Sequence, residues 1–192
     1  LSYIANPSRC SLLYALEVPM HDGVVLGETL FASAAYAYDT LPEDLRTRLD
    51  GLVAVHRYGD RYRKQQAAGG RGALTEEQLS KVPDVRHPVI RPHPITGRNV
   101  IFVNEGFTAL IEGVPEAGSA ELLARLFEHI VRPEALYTHR WRVGDVLMWD
   151  NCLVQHRAVR NYSLPLRRLM HRTTVAGSVQ SGPHREHGST QS

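Results

Sequence analysis

The sequence predicts a mainly β fold with helical support, a β-sandwich or jelly roll. Three observations predict it: many short apolar runs punctuated by Gly, Pro and Asn, one long helical repeat of leucines, and the absence of any internal repeat.

The elements follow in order. Residues 11–18 form an apolar run that ends at Pro19 and reads as a buried strand, residues 23–27 are a turn, and Thr29-Leu30-Phe31 restarts an extended segment. Residues 33–38 and 42–52 read as two short helices, the second with Pro42, Glu43 and Asp44 in its first turn, where acids suit the helix dipole. Residues 53–56 are a strand. Residues 60–83 are polar and glycine-rich and predict a mobile lid within one domain. Residues 87–91 and 99–103, joined through Thr96-Gly97, predict a hairpin. Residues 115–131 give the best helix, with Leu122, Leu123, Leu126, Phe127 and Ile130 at helical spacing. Strands follow at 136–142, 146–149, 154–159 and 169–175. The domain therefore runs over 1–177, and the Ser-, Gly- and His-rich stretch 178–192 reads as a disordered tail.

Composition narrows the function. A length of 192 residues fits one domain, and 43% hydrophobic with 22% charged residues excludes a disordered or collagen-like chain. No apolar run reaches the roughly 18 residues of a membrane span, and no basic-then-apolar leader opens the chain. A net charge of +2 with scattered positive residues argues against a nucleic-acid footprint. Cys10 and Cys152 are far apart, which fits a reduced, cytoplasmic compartment without a structural disulfide. The first residues are Leu1-Ser2-Tyr3, with no Met and no polar lead-in, so the chain reads as the C-terminal portion of a longer protein.

Of ten histidines, His156 is the informative one. It lies on a strand after a tight Asp150-Asn151 turn; Arg168 follows twelve residues later and Arg172 four beyond that, a spacing that strand alternation would turn to one face. A histidine is a natural metal ligand, and two arginines beside it make a pocket for a carboxylate or another anion. On spacing alone, a structural histidine and surface ion-pairing arginines explain the same residues. His87 and His93 beside prolines read as strand-end structure, His171 as a packed structural histidine, and Cys152 as a small buried side chain; a Cys152–His156 nucleophile pair is the lesser alternative.

The run Trp149-Asp150-Asn151…His156-Arg157-Ala158…Arg167-Arg168-Leu169-Met170-His171-Arg172 resembles the C-terminal signature of the taurine dioxygenase / 2,4-D dioxygenase (TauD/TfdA) family of Fe(II)- and 2-oxoglutarate-dependent oxygenases. Gly27-Glu28-Thr29, His87-Pro88 with Thr96-Gly97, and Asn104-Glu105-Gly106-Phe107-Thr108 match further family segments in the family's order.

The resemblance implies a double-stranded β-helix, a cupin-like jelly roll flanked by helices, with its N-terminal part missing from this chain. It also implies roles. The distal iron-binding and catalytic histidine falls on His156. The cosubstrate-binding residues fall on Thr29, Arg168 and Arg172, and Phe107 and Arg172 fall on the substrate pocket. Its cofactors are Fe(II), the cosubstrate 2-oxoglutarate and O2. Its reaction is hydroxylation of a small anionic organic compound (a sulfonate such as taurine, an alkyl sulfate or an aryloxyalkanoate), releasing succinate and CO2. It further implies a homo-oligomer, dimer or tetramer, with no nucleic acid or membrane partner. The family's His-x-Asp metal pair is expected upstream of Leu1. The nearest pattern here, His184-Arg185-Glu186, lies in the tail on the wrong side of His156. That departure keeps a second reading open, a degenerate non-catalytic jelly roll that binds an anionic ligand.

Overall fold

The computed structural model describes residues 2–59, 62 and 75–177. Most of the expected lid (60, 61 and 63–74) and the expected tail (178–192) lie outside the described residues.

Thirteen strands are described: β1 (Cys10–Glu17), β2 (Met20–His21), β3 (Val24–Val25), β4 (Thr29–Ser33), β5 (Val53–His56), β6 (Val85–Pro88), β7 (Ile90–Pro92), β8 (Asn99–Ile101), β9 (Thr108–Ile111), β10 (Leu136–His139), β11 (Val146–Asp150), β12 (Val154–Ala158) and β13 (Leu169–Val175). All their pairings are antiparallel. Two sheets form the jelly roll, one in the order β11-β1-β13 and one in the order β10-β4-β12. They meet where Phe31 of β4 packs edge-on against Trp149 of β11, ring centroids 5.3 Å apart. Strand alternation turns Ser11, Leu13, Trp149, Arg172 and Thr174 of the first sheet to one face, and Thr29, Phe31, Tyr137 and His156 of the second to another.

The helical support is a separate layer. Helix Glu116–Ile130 buries Leu122, Leu123, Leu126 and Ile130, the stripe its spacing predicts. That stripe joins Ala54, Ile101 and Ile111 from the strands, Leu45 and Leu49 from a short helix, and Leu41, Val89 and Val103 from connecting segments in one apolar cluster. Helix Ala34–Asp39 is capped by Ser33, whose Oγ accepts the Tyr36 N–H at 3.1 Å. Helix Glu43–Leu49 starts after Pro42 and carries Glu43 and Asp44 in its first turn, as read from the sequence.

Four expectations need correction. Residues 23–27 are not simply a turn: β2 and β3 form a small hairpin about Asp22-Gly23, where both residues have positive φ. The expected strand at 87–91 is split at Val89, whose N–H donates to the Leu52 carbonyl at 2.9 Å. As a result β6 pairs with β5, and only β7 forms the expected hairpin with β8. Within 60–83, residues Glu76–Ser80 are helical, started by a reciprocal cap in which Thr75 Oγ1 accepts the Gln78 N–H and Gln78 Oε1 accepts the Thr75 N–H. Strand β9 follows the turn at Asn104 and completes the sheet β6-β5-β9.

Residues 2–4 are held by buried histidines. His87 Nε2–H donates to the carbonyls of Ser2 (2.9 Å) and Ile4 (3.2 Å), and His56 Nδ1 lies 3.0 Å from Ser2 Oγ. The two imidazoles stack edge to face at 5.1 Å. Burial, followed by the charges of His87 and Arg91, lowers the His56 pKa from 6.5 to about 3. Burial, with Arg91 next, lowers that of His87 as well. Both imidazoles are therefore neutral in the fold. Below pH 6.5 the unfolded chain takes up a proton at position 56 that the fold refuses, so this stabilisation is complete above 6.5 and is lost progressively towards pH 3. Denaturant midpoints measured from pH 7.5 down to 4 should fall steadily, and His56→Asn, which keeps a donor at the Nδ1 position, should flatten that slope.

Candidate active site

The site is assembled where the two jelly-roll sheets face each other. On β4, Thr29 and Phe31 are both buried. Strand β12 pairs with β4 so that His156 lies opposite Phe31 and Ala158 opposite Thr29. The His156 imidazole lies against Trp149 at 4.7 Å and Phe31 at 6.1 Å, and its residue is otherwise exposed. Trp149 is fixed in turn: its Nε1–H donates to Asn151 Oδ1 at 2.9 Å, and Asn151 Nδ2–H donates to Ser11 Oγ at 2.9 Å. The Asp150-Asn151 turn closes with the Leu153 N–H on the Asp150 carbonyl at 3.2 Å, as the sequence suggested.

Two residues along the strand from His156, about 7 Å by strand rise, Thr29, Trp141 and Arg168 come together. Thr29 Oγ1 accepts a hydrogen bond from Arg168 Nη2 at 3.2 Å and another from Trp141 Nε1 at 3.0 Å. A hydroxyl has two lone pairs and one hydrogen, so two accepted bonds leave the Thr29 hydrogen to be donated onward. Arg168 Nε is buried with no hydrogen-bond partner among the described residues. Burial lowers the Arg168 pKa, opposed by the neighbouring Tyr162, yet a guanidinium stays charged in proteins. A half-buried cation and a free hydroxyl hydrogen on one spot suit a carboxylate. Gly27 lets Tyr162 and Arg168 approach closely. Its φ is +71°, and a Cβ there would meet Tyr162 Cε1 at 2.9 Å and Arg168 Cδ at 3.1 Å.

On the other side of His156 opens a cleft of about 520 Å³. Its lining includes Tyr3, Tyr58 and Phe107, whose rings cluster, together with His156, Arg160 and Arg172. The structure thus brings His156, Phe107 and Arg172 to one cleft. Thr29 and Arg168 are not among the residues that line it. His171 departs from expectation: alternation that turns Arg172 inwards puts His171 on the outer face, exposed, with its ring 6.4 Å from that of Tyr14.

His93, Asp150 and Cys152 form a second cluster, with ligand-type atoms within 4.8 Å of one another. Hydrogen bonds satisfy it. His93 Nδ1 accepts from the Thr96 N–H at 3.1 Å, which leaves the proton on Nε2 to donate to Asp150 Oδ2 at 3.0 Å, and Asp150 Oδ1 accepts the Cys152 N–H at 2.7 Å. Burial alone would raise the Asp150 pKa, but the bonds from His93 and Cys152 outweigh it and the carboxyl titrates below its usual value. Burial and the Asp150 charge push the Cys152 thiol up to about 11. A protonated thiol bonded to Asp150 is no nucleophile for His156. The cluster fixes the turn that leads into β12. Cys10 and Cys152 are both free thiols.

Sequence reading missed Trp141, Tyr3, Tyr58, Arg160 and Asn104. Trp141 was the most accessible of them, since a buried indole needs an acceptor and only the register of β4 shows that Thr29 provides it.

The chain matches the Taurine catabolism dioxygenase TauD, TfdA family over residues 1–174 and belongs to that family. It is 38% identical over 179 residues to the alpha-ketoglutarate-dependent 2,4-dichlorophenoxyacetate dioxygenase of Cupriavidus pinatubonensis, covering 91% of this chain and 57% of that protein. It is 34% identical over 185 residues to the alpha-ketoglutarate-dependent sulfate ester dioxygenase of Pseudomonas putida, covering 95% of this chain and 60% of that protein. A taurine dioxygenase structure from Burkholderia xenovorans superposes with a TM-score of 0.76 at 33% identity, covering 94% of this chain and 56% of that one. A complex of AAD-2 with Mn(II) and N-oxalylglycine gives 0.79 at 30% identity, covering 92% and 66%. The chain therefore spans little more than half the length of the curated relatives it matches.

Gly27→Ala should cost about 1–3 kcal/mol through left-handed strain and overpacking. A denaturant titration measures the loss, and unchanged stability would show that Tyr162 and Arg168 yield freely.

Proposed function

We propose that this chain supplies the cosubstrate and substrate pockets of an Fe(II)- and 2-oxoglutarate-dependent dioxygenase that hydroxylates a small anionic organic compound. The observation that carries this reading is the buried Thr29 hydroxyl with the half-buried Arg168 guanidinium on it, two residues along the strand pairing from His156. Their donors match a carboxylate. The far carboxylate of 2-oxoglutarate seated there directs the keto-acid end towards His156, and binding holds the dicarboxylate in one orientation.

His156 supplies one imidazole ligand for iron, its ring held by Trp149 and Phe31. Among the described residues no further metal-capable cluster includes His156. The remaining two ligands are assigned to the His-x-Asp pair that the family resemblance places before Leu1, which completes a 2-His-1-carboxylate face. When bound, iron supplies the redox chemistry that couples O2 and 2-oxoglutarate to hydroxylation, with succinate and CO2 as products. Arg172 and Arg160 offer charge to an anionic substrate head, and Phe107 with its ring neighbours offers aromatic surface in the same cleft.

The related proteins are named for 2,4-dichlorophenoxyacetate, sulfate esters and taurine. The substrate class here is drawn from the same range: aryloxyalkanoates, alkyl sulfates and sulfonates. No helix among the described residues is long and apolar enough to cross a membrane. The reading places the enzyme in the cytoplasm, as a homodimer or tetramer acting on a small molecule rather than on nucleic acid.

In steady-state assays of the full-length protein, Arg168→Ala should raise the 2-oxoglutarate KM by roughly 10- to 100-fold, the range for a lost charge-assisted bond, while iron stays bound. His156→Ala should abolish iron binding as measured by metal analysis. Full turnover by His156→Ala would overturn the assignment.

A further inference from the structure

The aromatic rings of the cleft are held in place by Asn104 and Ser2, which line the same cleft, and by His56 and His87, which do not. Tyr3 stands 4.7 Å from both Tyr58 and Phe107, and the rings of Tyr58 and Phe107 are near-parallel, 13° apart, at 6.4 Å. These rings come from three separate stretches of chain. Asn104 joins two of them with one amide group. Its Oδ1 accepts the Phe107 N–H at 2.9 Å, and its Nδ2–H donates to Ser2 Oγ at 2.8 Å, next to Tyr3. Asn104 is itself fixed, its backbone N–H donating to Thr108 Oγ1 at 2.9 Å. The third stretch is tied in by the backbone: the Arg57 N–H donates to the Phe107 carbonyl at 2.7 Å, one residue before Tyr58. Behind Ser2 stand His56, at 3.0 Å from its hydroxyl, and His87, which binds the carbonyls on both sides of Tyr3. Both histidines are buried.

Ser2 Oγ therefore meets Asn104 and His56, and the Ser2 and Ile4 carbonyls meet His87. Tyr3 sits between clamped neighbours and has little freedom to leave the wall. Arg160 and Arg172 line the same cleft, and among the described residues its lining contains no Asp or Glu. The lining is complementary to an anion that carries a ring.

We propose that Asn104, backed by His56 and His87, is a positioning residue that assembles the Tyr3–Tyr58–Phe107 wall and thereby sets affinity for a ring-bearing anion. The proposal rests on the reading of the cleft as the substrate pocket, and it makes no use of the metal.

The test uses the full-length protein and two ligands, phenoxyacetate and 2-oxoglutarate, titrated calorimetrically, together with amide hydrogen exchange of the peptide covering residues 2–9. Asn104→Ala should weaken phenoxyacetate binding by about tenfold, the loss expected for two part-buried hydrogen bonds in part replaced by water. It should speed exchange in 2–9 and leave 2-oxoglutarate affinity within twofold. His87→Leu should do the same. His87→Gln, whose amide places a donor near the Nε2 position, should restore both readouts. Faster exchange with unchanged phenoxyacetate affinity would reduce the clamp to a purely structural role and overturn the proposal. So would equal losses for both ligands, and so would no phenoxyacetate binding by the parent protein. Failure of the parent to bind 2-oxoglutarate would instead count against the dioxygenase reading.

Discussion

The rest of the site depends on one buried hydroxyl. Thr29 is 2% exposed, and its Oγ1 accepts from both Arg168 and Trp141. A buried hydroxyl without partners costs free energy, and one with two donors becomes a fixed point. It sits on β4, the middle strand of β10-β4-β12, so what fixes Thr29 also fixes the strand on which His156 is registered. Two residues along, Phe31 meets Trp149 of the opposite sheet and locks the distance between the two sheets. Gly27, two residues before, lets Arg168 close over the threonine. The same short stretch thus defines an anion pocket, orients a metal-capable imidazole and joins the jelly roll.

Much of the fold was legible because its signals are local. Strand β5 falls at 53–56, where its apolar run puts it, β13 falls at 169–175 as expected, and helix Glu116–Ile130 follows its leucine spacing. The errors have physical causes. Residues 87–91 look like one strand, but Val89 bonds to Leu52, and the chain changes sheets there. Strand β9 is only four residues long and starts directly behind the Asn104 turn, so turn chemistry masked it. Helix Glu76–Ser80 lies in a polar, glycine-rich stretch whose composition reads as loop, although the Thr75-x-x-Gln78 cap was visible in the sequence.

The site divides in the same way. His156, Thr29, Arg168, Arg172 and Phe107 were singled out because they stand in ordered motifs. The residues that hold them were not, because their partners are remote. Trp141 reaches Thr29 across 112 positions, Asn104 reaches Ser2 across 102, and His56 reaches Ser2 across 54. No spacing rule connects such residues, and a buried histidine such as His56 or His87 looks in sequence like any strand histidine. The chain also covers only 57% of its 2,4-dichlorophenoxyacetate dioxygenase relative.

The central claim is that His156 and the Thr29–Arg168 pocket together hold iron and a keto acid. The most direct measurement is an anaerobic titration of Fe(II) and then 2-oxoglutarate into the full-length protein, followed by visible absorption. The account predicts a weak charge-transfer band that appears only when both are present and is lost in Arg168→Ala at the same 2-oxoglutarate concentration. A metal-loaded protein that gives no band at saturating 2-oxoglutarate, or an undiminished band in Arg168→Ala, would contradict it.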